Sequence, residues 1–167
     1  YIINVRNLLL VRHAESSLNY SNLNDFDRTL NNMGKSDAKL MAKKLLENRF
    51  KVEYIISSGA NRALSTSKII SKNIGFPIKS IQINNDIYNS SEKNMLNIIN
   101  SIDDKYGFVM ITGHNPTFHY LSQLLSNELI IKFPTCSMLA IAFNVDSWSE
   151  VSIGEKKFMI FPQLYKN

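Results

Sequence analysis

Short apolar segments alternate with amphipathic segments along most of this chain, and this alternation limits the possible folds more than any other feature of the sequence. Three apolar segments are too brief for helices and rich in branched side chains, and they predict strands at residues 7–11, 52–57 and 107–112. The segments between and after them predict helices at residues 36–50, 60–75 and 91–102 and from residue 116. This order favours a three-layer α/β/α sandwich with a largely parallel central sheet.

Each predicted helix has one apolar side. The inner residues of the first are Ala38, Met41, Ala42, Leu45 and Leu46, and those of the last are Phe118, Leu121, Leu124 and Leu125. Gly75 is placed to end the second helix, and Pro116 suits the first turn of the last. Residues 80–88 are expected to be extended, and further strands are expected at residues 136–144, 147–153 and 156–161.

Length and composition indicate a folded protein. The 167 residues suit one domain, and we expect a single domain over residues 1–167. No apolar run could span a membrane and no signal-peptide pattern begins the chain, so we expect a cytoplasmic protein that binds no membrane. The net charge of +5 comes from scattered lysines, and we expect no nucleic-acid partner. We expect a monomer or a weak oligomer.

Basic and imidazole side chains follow the predicted strands. Arg12 and His13 end the first strand, His114 follows the strand at 107–112, and Arg62 lies in the first turn of the helix after the strand at 52–57. In open α/β sheets ligands bind beyond the carboxyl ends of the strands. We therefore expect these four side chains to converge on one site, which makes purely structural roles less plausible for them.

The four residue types suit a phosphoryl group. Arginine offers a rigid fork of donors that matches phosphate oxygens and keeps its charge at any working pH. Helix N-termini add backbone donors for the same anion. A neutral imidazole can then act as the nucleophile, so the pattern predicts phosphoryl transfer through a phosphohistidine.

Other phosphoryl-transfer and metal chemistries fit the sequence less well. His13, His114, His119 and Cys136 include no close-spaced zinc-ligand pair, and no His-Glu-x-x-His occurs. A thiol phosphatase needs an arginine six residues after its cysteine, where this chain has Ala142, and no Walker-type loop is present. We expect no metal and no cofactor, a buried Cys136 thiol, and a His119 that faces away from the site.

The motifs around these residues resemble a known family. LVRHAESSLN is similar to the Arg-His-Gly signature of the histidine phosphatase superfamily, and ISSGANRALSTSKII to its second-arginine motif. DRTLNNMG resembles the family's loop before the first helix. IYNSSEKNMLNII and VMITGHNPTFHYLSQLL resemble the SixA-type phosphohistidine phosphatases within it. The resemblance covers nearly the whole chain and implies a phosphoglycerate mutase-like fold.

The resemblance also implies roles for individual residues. His13 would be the phosphorylated nucleophile, Arg12 and Arg62 the phosphate clamps, and His114 the partner that steadies charge on the transferring group. Further substrate-binding residues would be Asn19, Arg28 and Asn115.

The chain departs from the family pattern at several positions. Ala14 replaces the usual glycine, and Gly59 and Ser65 stand where proline and glutamine are common. Many members carry a glutamate proton donor in the region that reads NDIYNSS here, and another branch has aspartate where this chain has Asn115. The usual proton donors are therefore missing.

Two carboxylates remain as possible proton donors, each with a structural alternative. Glu15 could instead be a loop or helix-end residue that holds an arginine. Asp86 could instead be a turn residue before Ile87.

These observations favour a metal-independent phosphatase whose leading substrate is phosphohistidine on a protein. A small phosphate monoester is the second choice, and a non-catalytic domain that binds phosphate or a phosphoprotein is a third. The presence of both histidines and both arginines argues against a silent domain. The short chain lacks insertions that would enclose a sugar phosphate, which argues against a mutase.

Overall fold

Strands and helices alternate along the chain, as the sequence predicts. The computed structural model describes residues 4–18 and 23–167. The strands are β1 (Arg6–Arg12), β2 (Tyr54–Ser57), β3 (Gln82–Ile83), β4 (Phe108–Gly113), β5 (Met138–Phe143) and β6 (Glu155–Ile160). The helices are α1 (Asn32–Glu47), α2 (Asn61–Ile74), α3 (Glu92–Asn100) and α4 (Thr117–Ser126). A 3-10 turn, Asp25–Asp27, lies between β1 and α1.

The strands form one sheet in the order β3-β2-β4-β1-β5-β6. The first four strands pair in parallel, and β5 is antiparallel to both of its neighbours. In the register Arg12 pairs with Gly113, and Ser57 pairs with Thr112. The carboxyl ends of β1, β2 and β4 therefore meet at one edge of the sheet.

Helices cover both faces of the sheet. Successive residues of β1 point to opposite faces. Leu9 and Val11 pack in the core that includes the inner residues of α1 and α2, whereas Leu8 and Leu10 pack in the core that includes those of α3 and α4. The predicted three-layer α/β/α architecture is confirmed. Among the described residues, no helix has both the length and the apolar character needed to cross a membrane.

Caps decide where the helices begin and end. α1 starts at Asn32, four residues earlier than expected, because the Asn31 side chain accepts a hydrogen bond from the Gly34 amide (2.8 Å). α2 ends at Ile74, where Gly75 takes the left-handed conformation (φ 78°), as expected. Leu46 and Leu124 were expected on the inner faces of their helices. Both side chains are about half exposed, so this expectation was wrong for these two residues.

Two segments expected to be extended are mostly turns. The segment 147–153 contains a 3-10 turn, Trp148–Glu150, because Ser147 and Glu150 form a reciprocal capping box. Its Trp148 side chain is fully buried, which accounts for the apolar signal. In the segment 80–88 only Gln82–Ile83 is a strand, and the Asn84 side chain caps a following 3-10 turn.

Candidate active site

Four side chains that the sequence assigns to one site lie together at the carboxyl edge of the sheet. Arg12 ends β1, His13 follows it, His114 follows β4, and Arg62 is the second residue of α2. The centres of the His13 and His114 rings are 5.3 Å apart. Arg62 Nε lies 3.3 Å from His13 Nε2. The expected convergence of these residues is present in the structure.

The backbone around His13 is tied to three neighbouring elements. The His13 amide donates to the Gly113 carbonyl at the end of β4 (3.0 Å), and the His13 carbonyl accepts from the Cys136 amide ahead of β5 (3.0 Å). The next amide, of Ala14, donates to Thr66 Oγ1 on α2 (2.9 Å). These bonds fix where the imidazole can lie.

The hydrogen bonds of His13 define its tautomer. Nδ1 lies 2.8 Å from the Ala14 carbonyl, which can only accept, so Nδ1 carries the proton. Arg62 Nε can only donate, so Nε2 accepts with its lone pair. Burial, reinforced by the nearby His114, Arg62 and Arg12, lowers the pKa of His13 to about 3. At neutral pH His13 is therefore an uncharged imidazole whose Nε2 lone pair faces the site.

His114 is also buried and neutral. Its Nε2 lies 2.8 Å from the hydroxyl of Ser58, the residue directly after β2. Burial, with the Arg62 charge, lowers the pKa of His114 to about 4. Its Nδ1 is buried and has no hydrogen-bond partner among the described residues. A ligand that bonded to this nitrogen would satisfy it.

Arg12 and Asn115 are joined through one carbonyl. Arg12 Nη1 (3.0 Å) and Asn115 Nδ2 (2.9 Å) both donate to the Phe133 carbonyl. Arg12 Nε is buried without a partner in the described part of the chain. Because a buried donor without a partner is costly, an anion that accepted from Arg12 Nε would be stabilised here.

An unanticipated carboxylate, that of Asp25, completes the arginine cluster. Arg62 Nη1 donates to the Asp25 carbonyl (2.7 Å), and Arg62 Nη2 donates to Asp25 Oδ2 (3.0 Å). The Tyr88 hydroxyl donates to the same Oδ2 (2.6 Å), and Arg28 Nη1 donates to Oδ1 (2.9 Å). Sequence reasoning missed both Asp25 and Tyr88. The available signal was the position of Asp25, three residues before Arg28 in a long loop.

These contacts keep Asp25 ionised. The hydrogen bond from Tyr88, followed by those from Arg28 and Arg62, holds the pKa of Asp25 well below its usual range. The same bond raises the pKa of Tyr88. The Tyr88 ring in turn lies edge-on to the His114 ring, with centres 5.5 Å apart. Tyr88 thus connects the carboxylate to the histidine pair.

The remaining candidate ligands have different positions. Arg28 lies next to the cluster: its Nη1 donates to Asp25 Oδ1, and its Nη2 donates to Ser16 Oγ (2.7 Å). Asn19 lies outside the described residues.

Neither candidate proton donor contacts the histidines. Glu15 accepts from the Asn31 side chain (2.8 Å), which makes it a helix-end residue, although its partner is not an arginine. Asp86 lines a separate cleft together with Ser101 and Asp103, because the turn after β3 directs it there. Their positions do not favour either carboxylate as the proton donor.

The side chains of two residues considered for other chemistries are occupied or buried elsewhere. His119 Nε2 is hydrogen-bonded to the Ile130 carbonyl (2.5 Å), and its ring stacks on Tyr120. The Cys136 thiol is fully buried, as expected, and burial raises its pKa. Within residues 4–18 and 23–167, no three His, Cys, Asp or Glu side chains are grouped as metal ligands would be.

A family profile and a curated protein match much of this chain. The sequence profile of the histidine phosphatase superfamily (branch 1) matches residues 8–87, which include Arg12, His13, Asp25, Arg28 and Arg62. An uncharacterized chloroplastic protein of Arabidopsis thaliana is 29% identical over 153 residues, covering 87% of this chain and 70% of that protein.

Solved structures share the fold. A protein of Agrobacterium tumefaciens that is designated a phosphohistidine phosphatase SixA superposes with a TM-score of 0.80 at 24% identity, covering 94% of this chain and 98% of that one. The protein histidine phosphatase SixA in complex with tungstate gives a TM-score of 0.82 at 19% identity, covering 96% and 99% of the two chains. The chain therefore matches the histidine phosphatase profile over residues 8–87 and shares the fold of SixA over nearly its whole length.

Proposed function

We propose that this protein is a phosphatase that forms a phosphohistidine on His13 and that its substrate is a phosphohistidine on another protein. The observation that carries the proposal is the state of His13 Nε2. This nitrogen is unprotonated and buried, it faces a guanidinium, and it lies beside a second imidazole.

In the first step, the Nε2 lone pair attacks phosphorus and forms the N–P bond. The bond from phosphorus to the leaving group breaks, and its electron pair goes to the leaving group. The His13 ring becomes positively charged, and its Nδ1–H bond to the Ala14 carbonyl stabilises that charge. Arg12, Arg62 and His114 donate to the phosphoryl oxygens, where negative charge develops.

In the second step, water attacks the phosphorus of the phosphohistidine. The P–O bond forms and the P–Nε2 bond breaks. The electron pair of that bond returns to Nε2, and the water proton leaves to solvent or to the phosphate. This step restores neutral His13, which is the form that burial favours in the free enzyme.

The carboxylate in the site supports phosphohistidine as the substrate. An alkoxide leaving from an alkyl ester needs a proton in the transition state, help that is typically worth about a hundredfold to ten-thousandfold. Asp25 is ionised, because Tyr88 and the arginines lower its pKa, so it cannot supply that proton. An imidazole has a reference pKa of about 6.5 and can take its proton from solvent. Tungstate is a tetrahedral oxyanion like phosphate, so its complex with the similarly folded SixA also supports a phosphate site.

The test compares three substrate classes with one preparation. A protein phosphorylated on histidine and an aryl phosphate should be hydrolysed, whereas alkyl phosphates such as glycerol phosphate should be poor substrates. His13→Ala should abolish both activities. Any hydrolysis that remains in this variant comes from a contaminating phosphatase. Efficient alkyl phosphate hydrolysis that depends on His13 would contradict the assigned substrate class. If the protein hydrolysed none of the phosphate compounds, the proposal that it is an enzyme would be wrong.

A further inference from the structure

A carboxylate beside a phosphate site is unexpected, because it repels the anion that the arginines attract. The Asp25 side chain is half exposed, whereas the Arg62 side chain that it contacts is almost fully buried. Asp25 also belongs to a 3-10 turn whose start is fixed by the Asn24 side chain, which accepts from the Asp27 amide (3.1 Å). The carboxylate is thus held in place at the open side of the site.

Asp25 does not take the edge of Arg62 that faces the nucleophile. Its backbone carbonyl accepts from Nη1 and its carboxylate Oδ2 accepts from Nη2, while Nε remains directed at His13 Nε2. A phosphoryl group attached at Nε2 would therefore meet Arg62 through Nε, with Asp25 still in place on the far edge. Asp25 therefore need not move away from Arg62 before the phosphoryl group binds, and both can contact Arg62 at the same time.

The leaving group must depart on the side opposite His13, because the displacement at phosphorus is in line. Asp25 and Tyr88 form a wall of the site next to His114, and the Asp25 charge acts on the His114 ring as well. The site therefore has a half-exposed, ionised carboxylate close to the histidine pair.

We propose that Asp25 determines substrate specificity by pairing with the protonated ring of the leaving group, so that the site selects phosphohistidine over phosphate esters. This inference rests on the proposed function and adds to it a residue that attracts the substrate class. A protonated imidazole carries a positive charge and a free N–H, and an ester oxygen carries neither.

The chemistry balances without another reactant. The phosphohistidine ring enters protonated on its unphosphorylated nitrogen, and that N–H donates to Asp25. When His13 Nε2 attacks, the electron pair of the breaking P–N bond returns to the ring and cancels its positive charge. The ring leaves as neutral imidazole with the same proton still attached. Asp25 favours the protonated form, which is the form that leaves readily.

The test compares two small substrates, N-phosphoimidazole and 4-nitrophenyl phosphate, so that no protein surface contributes. The readout is the ratio of their kcat/KM values, which does not depend on the fraction of active enzyme. Asp25→Asn removes the charge. We expect the kcat/KM for N-phosphoimidazole, divided by that for 4-nitrophenyl phosphate, to fall at least about tenfold, because a hydrogen bond to a charged group typically contributes that much. Asp27→Asn, in the same turn, is the matched control and should leave the ratio unchanged.

A second variant separates the charge from the shape of the turn. Tyr88→Phe removes only the phenol bond to Oδ2 and keeps the Asp25 carboxylate, so it should retain the wild-type preference. An unchanged ratio in Asp25→Asn would overturn the proposal and leave Asp25 as a support for Arg62. Faster turnover of both substrates in Asp25→Asn would also overturn it, since Asp25 would then compete with phosphate. If wild type hydrolyses neither substrate, the proposed function itself fails.

Discussion

Replacing Arg62 with lysine keeps the positive charge of the site but removes the planar fork. Arg62 uses all three of its nitrogens, Nε toward His13 and Nη1 and Nη2 toward Asp25. A lysine has one nitrogen on a flexible stem and cannot serve both partners at once. The expected loss of activity therefore comes from the changed geometry of the donors, since the charge stays nearly constant.

The magnitude follows from the donor that is lost. Removing one preorganised donor to the charge that develops in a transition state costs about 3 to 4 kcal/mol. Since about 1.4 kcal/mol corresponds to a factor of ten, kcat should fall about a hundredfold to a thousandfold. The Arg62 side chain is almost fully buried, so water cannot replace the missing bond cheaply.

The assay measures kcat and KM for an aryl phosphate at neutral pH. Arg49→Lys is the control, since Arg49 is exposed and lines a cavity beyond the end of α1 with Phe50 and Phe76. This control should keep kcat within about twofold of wild type. A kcat for Arg62→Lys within threefold of wild type would refute the assignment of Arg62 to the phosphate.

Three further predictions concern metal, pH and packing. Activity should persist in excess EDTA, and a loss that zinc restores would contradict the metal-independent mechanism. The free energy of unfolding, measured in urea, should fall as pH drops from 6.5 to about 4. In that range His13 and His114 bind protons in the unfolded chain, and their lowered pKa values of about 3 and 4 keep them neutral in the folded protein. A free energy that stays constant or rises over this range would show that the histidines are not buried as neutral rings. Leu121→Ala should lower the free energy of unfolding by about 2 to 5 kcal/mol, because Leu121 is fully buried. Leu124→Ala, at a half-exposed position of the same helix, should lower it by less than about 1 kcal/mol. Equal losses would contradict the packing of α4.

The positions of the two histidines and two arginines could be predicted because each is tied to a strand end. Hydrophobic periodicity locates β1 and β4, and the carboxyl ends of parallel strands meet at one edge. Arg12, His13 and His114 follow from that rule directly. Arg62 follows from the short connection between β2 and α2.

Asp25 and Tyr88 could not be placed in the same way. Their contact joins two loops, and each loop is shaped by a local cap, from Asn24 in one and from Asn84 in the other. Such caps can be recognised in a sequence, but the direction in which a loop then travels depends on packing that periodicity does not encode. The same limit explains the segment 147–153, where a capped turn with a buried Trp148 imitates the apolar pattern of a strand.

Trapping the phosphorylated enzyme tests the central claim most directly. The enzyme is mixed with a labelled aryl phosphate and quenched in alkali, in which phosphohistidine survives, and the labelled residue is located by tandem mass spectrometry. We predict one phosphoryl group per chain, on His13 and absent from His13→Ala. Label on His114 or Ser58, or rapid turnover with no label on His13, would contradict the account.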